Sequence, residues 1–368
     1  MDKERVMSES ASFPLNAWYA AGWRRDFDAT LTARTICDIP MVFFRRRDGG
    51  VSALEDVCQH RLLPLSMGRL DNDRVICGYH GMTFSASGEC LKVPGAPGVT
   101  PSKANGVRTF PTVERHGLVW VWPGDPSEAN GTEIPDLHWA DDPAWSYAPC
   151  YLHMACDFRL VLDNLMDLTH ESYVHLSSIG QSELTEAPFE VTVDGKHVWL
   201  KRLMLDMIAP PFLAAQLKLA RGLPPEHVDR WQIIHFEAPS TIVIDVGVAP
   251  HNTGATKGDY SQGVNTQVIN AVTPGLAGEA HYFFALARNF LIEDAALTEN
   301  MGSRNVKIFL EDKAILEGQY QNMTRLPERK LLNFGIDKGV VRARRAIAQL
   351  VARESDSLPV QYDDEHVA

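Results

Sequence analysis

The chain has 368 residues, 45% of them apolar, which is ample for two hydrophobic cores and predicts two domains. Its formal net charge of −12 argues against a nucleic-acid partner, whose expected footprint is a basic patch. No apolar run reaches the ~18 residues of a membrane span, and Met1-Asp-Lys-Glu-Arg-Val6 leads into no signal or transit peptide, so a cytoplasmic protein is expected.

From Trp18 to about Gly124 the chain reads as short strands. Arg34–Asp38, Met41–Phe44, Val51–Leu54, Met82–Phe84 and Leu118–Trp122 are β-branched or aromatic runs, separated by turn signals such as Asp48-Gly-Gly50 and Ala86-Ser-Gly88. Pro123 to Pro149, frequent in Asp, Gly, Pro and Asn, reads as a linker. Beyond it, a helix is expected over about 158–175. Strands are expected over Phe189–Val193, His197–Leu203, Trp231–Phe236, Thr241–Val248, Thr266–Val272 and His281–Ala287. Helices follow over about 294–322 and 337–353, the second with an apolar stripe (Val340, Val341, Ile347, Leu350, Val351) opposite Arg342, Arg344 and Arg345. Met204–Gly222 reads either as a lid over an apolar pocket or as a helix packed on the sheet, and the acidic Asp363-Asp-Glu365 as a frayed tail. Antiparallel strands with helices on one face make an α+β second domain after an all-β first one.

Two constellations carry chemistry. Cys58-Gln-His60 is followed, after sixteen intervening residues, by Cys77-Gly-Tyr-His80. Two matched loops, each giving a sulfur and a nitrogen, suit either a tetrahedral zinc or a [2Fe–2S] cluster with two Cys on one iron and two His on the other. Cys37, Cys90, Cys150 and Cys156 have irregular spacing and read as buried thiols in a reducing compartment. The second set is Asp163-Asn164-Leu-Met-Asp167-Leu-Thr-His170 with His175. Five residues turn an ideal helix by roughly 500°, so both imidazoles reach one metal only if the helix kinks or ends between them. A metal held by two His needs a carboxylate to complete a facial triad with open positions. Asp312, in Phe309-Leu-Glu-Asp312, is the first choice, with Glu311 and Asp294 as rivals.

The flanking residues resolve the choice at the first site. With Arg61, Pro64, Leu65, Gly68, Gly81 and Phe84, the loops read C-x-H-R-x-x-P-L-x-x-G and C-x-x-H-G. These resemble the Rieske iron–sulfur motif, and D-N-x-x-D-x-x-H-x4-H resembles the iron site of the Rieske non-haem iron oxygenases. The likeness runs from Asn16-Ala-Trp18-Tyr19 through Trp120–Asp125 and Asp229-Arg-Trp231 to Ala287-Arg-Asn-Phe290, and the Glu311-Asp312 segment resembles the family's homotrimeric dealkylating branch.

The resemblance implies a Rieske domain over 1–140 and a helix-grip catalytic domain over 141–368. Cys58, His60, Cys77 and His80 would hold the [2Fe–2S] cluster, and His170, His175 and Asp312 a mononuclear Fe(II) that uses O2. Asn164 would sit near that iron without ligating it. Asp167 would bridge His170 to His80 of the partner subunit in a head-to-tail trimer, its carboxylate accepting the outer N–H of the imidazole. A ferredoxin or reductase would deliver NAD(P)H electrons. The implied reaction is oxidative O- or N-dealkylation of a small aromatic. Alternatives are a methoxybenzoate demethylase, ring hydroxylation or, from another class, an electron-transfer Rieske protein. Ile244, Asn270 and Ser303 fall where a relative places polar and aromatic groups around a carboxylated substrate. Ile244 cannot hydrogen-bond, and burying a carboxylate without partners is costly, so a neutral aryl ether or N-alkyl anilide is expected.

Overall fold

The structure is a computed structural model that describes residues 13–95, 101, 105–175, 179–181, 183–222 and 227–355. It has two compact units. One comprises the residues up to Ile134 with Thr273–Ala277, the other Pro135–Val272 with the residues from Gly278 on.

The first unit is all β. Its strands are β1 (Tyr19–Trp23), β2 (Thr32–Ile36), β3 (Ile39–Arg45), β4 (Val51–Glu55), β5 (Arg69–Asp71), β6 (Arg74–Ile76), β7 (Thr83–Phe84), β8 (Cys90–Lys92), β9 (Thr109–Phe110), β10 (Thr112–Arg115) and β11 (Leu118–Val121). They form three small sheets, ordered β1-β11-β10, β2-β3-β4-β9 and β5-β6-β7-β8. Aromatic and β-branched side chains fill two cores: one around Tyr19, Phe27, Phe43 and Val121, the other around Phe44, Leu54, Leu65, Val75 and Phe84. Cys58 and Cys77 belong to the second core. The shortest strands, β5 to β9, carry too few residues to show an alternation in the sequence.

The second unit holds one seven-stranded sheet, ordered β12-β18-β17-β16-β15-β14-β13. Its strands are β12 (Ser146–Met154), β13 (Phe189–Asp194), β14 (His197–Met207), β15 (Val228–Glu237), β16 (Thr241–Pro250), β17 (Val264–Pro274) and β18 (Ala280–Arg288). Pairing is antiparallel from β13 through β17, and between β12 and β18. Six of the seven strands lie where the hydrophobic runs predict them. The seventh, β12, corrects the linker reading: Ser146–Pro149 already pairs with Leu286–Arg288 and Ala285, although a Pro and partly exposed side chains disguise an edge strand.

The helices are α1 (Phe158–Met166), α2 (Glu171–Val174), α3 (Glu183–Glu186), α4 (Pro211–Arg221), α5 (Ala295–Arg325) and α6 (Lys338–Ser355). The Met204–Gly222 stretch therefore ends β14 and forms α4, started by Pro211 in its first turn and closed at Gly222, whose φ of 98° favours glycine. Helix α5 lies on β12 and β18, and a Cβ at Gly302 would meet that of Ala148, so glycine permits the close approach. Helix α6 packs on α1. Arg344 turns inward rather than joining Arg342, donating from Nε and Nη2 to the two carboxylate oxygens of Asp163 at 2.8 and 2.6 Å. The acidic Asp363–Glu365 and part of Ser177–Gln181 lie outside the described residues.

Candidate metal centres and pocket

The two Cys–His loops of the first unit share one backbone design. The N–H of Leu62 donates to the carbonyl of Cys58, and that of Gly81 to Cys77. The N–H of Cys58 donates to Leu63, and that of Cys77 to Met82. In both loops the fourth residue after the cysteine is left-handed: Leu62 at φ 56° and Gly81 at φ 73°. Gly68 is required because a Cβ there would collide with the Ile76 carbonyl oxygen.

The result buries both sulfurs and exposes both imidazoles. Cys58 and Cys77 are 1% and 3% exposed, whereas His60 and His80 lie at the surface with ring centroids 4.5 Å apart. Burial pushes the Cys58 thiol up, the main-chain N–H groups of His60 and Arg61 pull it down, and the adjacent Cys77 sulfur raises it again. Two sulfurs within mutual reach, with N–H donors aimed at one and two imidazoles paired outside, fit a two-iron cluster bridged between a thiolate side and an imidazole side.

In the second unit, α1 stops at Met166 because Asp167 leaves helical geometry (φ −129°, ψ 98°). A single 3-10 turn, Leu168–His170, then leads into the four-residue α2. His170 and His175 thus flank α2 at its two ends, which is how residues five apart come to face one point. Each ring is fixed by its outer nitrogen. His170 Nδ1–H donates to the Asp167 carbonyl at 2.6 Å, and His175 Nδ1–H to Glu311 Oε2 at 2.7 Å. Both Nε2 atoms thereby turn inward, where in the unprotonated ring they offer a lone pair to a metal. They converge on Asp312 Oδ1, at 3.3 Å from His170 and 3.1 Å from His175. These three donors form the one His/Cys/Asp/Glu group among the described residues spaced to hold a metal.

The two histidine–carboxylate spacings, 3.3 and 3.1 Å, are close to the ~3 Å ligand–ligand edge of an octahedron with bonds of ~2.1 Å. Asp312 is 3% exposed, and its Oδ2 has no hydrogen-bond partner. Burial alone would raise its carboxyl. The hydrogen bonds and positive charge of His170 and His175 outweigh burial and bring it to about 2. Burial likewise depresses the two imidazoles. Asp312, joined by the Asp167 carbonyl and Glu171 at His170 and by Glu311 at His175, more than offsets this, and both end up raised. A buried anion with an orphaned oxygen between two oriented imidazoles fits a divalent iron.

The rival carboxylates have other work. Glu311 holds the outer nitrogen of His175, and Asp294 caps α5 by accepting from the Leu297 N–H at 2.8 Å. Asn164 donates to Asp312 Oδ1 at 3.2 Å. Asp167 departs from expectation. It touches His170 through its carbonyl, while its carboxylate accepts from the N–H and hydroxyl of Thr169 at 3.0 and 2.6 Å. The helix breaks at Asp167 itself, so its main-chain carbonyl, rather than its carboxylate, meets the outer nitrogen of His170.

Beside the three donors lies a small cavity of about 90 Å³. Leu165, Phe212, Ile244, Val268, Met301 and Phe309 give it an apolar wall. Ile244 therefore lies where the sequence placed it, whereas two companions do not. Asn270 is fully buried away from the wall, donating to the carbonyls of Ile242 and Val268 and accepting from the Tyr282 hydroxyl at 2.6 Å. Ser303 is exposed, on the outer side of α5. Sequence spacing fixed their positions along a strand and a helix but not which face they occupy.

Wall residues that the sequence did not single out include Glu171, Arg230 and Asn305. Glu171 and Arg230 are buried and mutually neutralising. Arg230 Nη2 donates to Glu171 Oε2 at 3.1 Å, and Gln232 donates to both Glu171 oxygens at 3.1 and 3.0 Å. Asn305 is 7% exposed, and its amide nitrogen has no partner. A signal for it exists: the buried residues of α5 run Gly302, Asn305, Phe309, Asp312, Leu316, a three-four spacing with two polar members in an apolar stripe.

Comparison with known proteins agrees with this geometry. The Rieske [2Fe-2S] domain family matches residues 17–111, and the Vanillate O-demethylase oxygenase C-terminal domain family matches residues 154–353. The chain belongs to the Rieske non-haem iron oxygenases. It is 41% identical to the vanillate O-demethylase oxygenase subunit of Pseudomonas sp. strain HR199, over 94% of this chain and 97% of that one. It is 31% identical to the oxygenase component of chloroacetanilide N-alkylformylase of Rhizorhabdus wittichii, over 93% and 97%. Its fold is similar to that of dicamba monooxygenase bound to 3,6-dichlorosalicylic acid, with a TM-score of 0.87 at 32% identity, covering 94% of this chain and all of that one.

As a family member the chain is an oxidoreductase of the dealkylating branch. It is an oxygenase component that carries a Rieske cluster and a mononuclear iron and takes electrons from a separate redox partner. The α+β architecture, all-β first and sheet-and-helix second, is that of the family. No helix among the described residues is long and apolar enough to cross a membrane.

Proposed function

We propose that the chain removes a methyl or short alkyl group from oxygen or nitrogen on a single, largely neutral aromatic ring. The observation that carries this reading is the apolar cavity beside Asp312. Among the described residues its only charged wall groups besides the metal donors, Glu171 and Arg230, neutralise each other. Such a wall accepts a ring and penalises an unpaired carboxylate.

Cys58, His60, Cys77 and His80 hold the cluster in a domain spanning 1–140. His170, His175 and Asp312 hold the iron in a domain spanning 141–368. Bound there, iron supplies O2 activation for attack on the alkyl C–H bond. Asp167 and Glu311 keep the two imidazoles in the tautomer that presents Nε2, Asn164 orients the Asp312 carboxylate, and Leu165, Ile244 and Phe309 exclude water from the ring. In net terms an aryl methyl ether, O2, two electrons and two protons give a phenol, formaldehyde and water. The electrons come from NAD(P)H through a ferredoxin or reductase.

The working unit is a head-to-tail homotrimer. Exposed Leu62, Met67 and Tyr79 around the cluster rim, and exposed Tyr173 between the two iron histidines, support such a pairing. In it the free carboxylate oxygen of Asp167 faces His80 of the partner subunit.

A second reading, a vanillate-type demethylase of methoxybenzoates, is favoured by 41% identity over nearly the whole chain. A panel of vanillate, neutral methoxyarenes, N-alkyl anilides and plain arenes, with reductase, NADH and O2, separates the readings. Aldehyde released fastest from a neutral ether or anilide supports the proposal. Vanillate turned over at least tenfold more efficiently selects the second reading, and ring-hydroxylated products without aldehyde refute dealkylation.

A further inference from the structure

Among the described residues lining the cavity, one polar side chain has no hydrogen-bond partner. Asn164 is engaged with Asp312, Glu171 with Arg230 and Gln232, and Thr266 lies 3.4 Å from the Val246 carbonyl. Asn305 is 7% exposed, lines the cavity, and its Nδ2 has no hydrogen-bond partner. An amide buried without partners costs as much as a lost hydrogen bond or more, so its place on an otherwise apolar helix face calls for a ligand.

Its position is also informative. Asn305 and Asp312 share one face of α5, seven residues apart, so they are separated by roughly 10 Å along the helix axis. That is comparable to the span of a disubstituted benzene ring with both substituents.

We infer that Asn305 is the specificity-determining residue of this site, its amide N–H donating to an acceptor oxygen on the substrate at the end remote from the alkyl group. The inference rests on the proposed dealkylation, and names the chemistry the substrate carries: a carbonyl or comparable acceptor, meta or para to the alkylated atom.

The test uses the holoenzyme and matched probes, 4-methoxyacetophenone and 4-isopropenylanisole, with their meta isomers. Each pair has the same shape and differs in a carbonyl oxygen against a methylene group. Binding is measured by titration calorimetry, and turnover by formaldehyde release. For the better-fitting isomer, the native enzyme should bind the ketone at least tenfold tighter than the alkene. Asn305→Leu, of similar volume, should weaken the ketone by about tenfold, leave the alkene unchanged, and keep the cluster spectrum and iron content. Asn305→Asp, which cannot donate when ionised, should lose the ketone as well.

The inference is overturned if the native enzyme binds ketone and alkene alike, or binds neither. It is also overturned if Asn305→Asp keeps ketone affinity, or if Asn305→Leu loses both probes equally, the signature of a packing role. Failure of the dealkylation reading looks different: ketone preference and its loss in Asn305→Leu persist, but the products are ring-hydroxylated and no formaldehyde appears.

Discussion

Neutralising Glu311 and Asp312 one at a time separates a metal ligand from the group that orients one. The two are neighbours on α5, yet only Asp312 faces both Nε2 atoms, while Glu311 lies 2.7 Å from the outer nitrogen of His175. Removing a partner of a ligating histidine typically costs 10- to 100-fold in metal affinity. The Glu311 side chain is 45% exposed, so water replaces much of what it gives, and the low end applies: about tenfold, or about 1.4 kcal/mol, for Glu311→Gln. Asp312→Asn removes the buried anion itself and should leave the site empty at micromolar iron. The assay is anaerobic Fe(II) titration against a chelator, with iron counted per chain; a [2Fe–2S] cluster alone gives two irons and a filled mononuclear site adds one. Both variants should keep the cluster spectrum. If Glu311→Gln empties the mononuclear site while Asp312→Asn retains iron, the two roles are exchanged and the ligand assignment fails.

Three further outcomes are expected. His170→Ala should keep the cluster's visible spectrum and abolish turnover, whereas His80→Ala should bleach the cluster; loss of the cluster spectrum in the first variant contradicts two separate sites. Asp167→Asn should retain both metals, since an amide oxygen can still accept from Thr169, yet slow electron transfer from cluster to iron. A stopped-flow rate equal to that of the native enzyme removes the bridging role. Arg230→Met strands the buried Glu171 carboxylate, and breaking a buried pair costs about 3–5 kcal/mol, which calorimetry should read as a fall in Tm of roughly 10 °C. An unchanged Tm would mean that Gln232 alone satisfies Glu171.

The donor sets were legible because their chemistry admits few alternatives: thiolates and imidazoles at fixed spacing, in loops whose glycines are demanded by backbone approach. Strand positions in the second unit were legible because central strands are long and apolar. What escaped was direction. Asn270 and Ser303 were placed correctly along the chain, but one turned into a hydrogen-bonded core and the other toward the surface. Asp167 was expected to meet His170 through its carboxylate, but the sequence did not show that this residue ends the helix and turns its carbonyl there instead. The β12 edge escaped because half-exposed strands containing proline look like linkers.

The placement of the site on α5 bears on how substrate choice is built. Asp312 and Asn305 project from one 31-residue helix without a break, so their separation is fixed by helix geometry and does not depend on a loop. The two histidines come instead from a broken segment, pinned by the Asp167 carbonyl at His170 and by Glu311 at His175, with the Glu171–Arg230–Gln232 network holding the turn between them. Rigidity is thus supplied by secondary structure where length matters, and by buried polar bonds where direction matters. Ile244 on β16 and Phe212 on α4 contribute only shape to the cavity wall. Changing them should alter which ring fits, while Asn305 continues to set which oxygen is recognised and how far from the reacting carbon it sits.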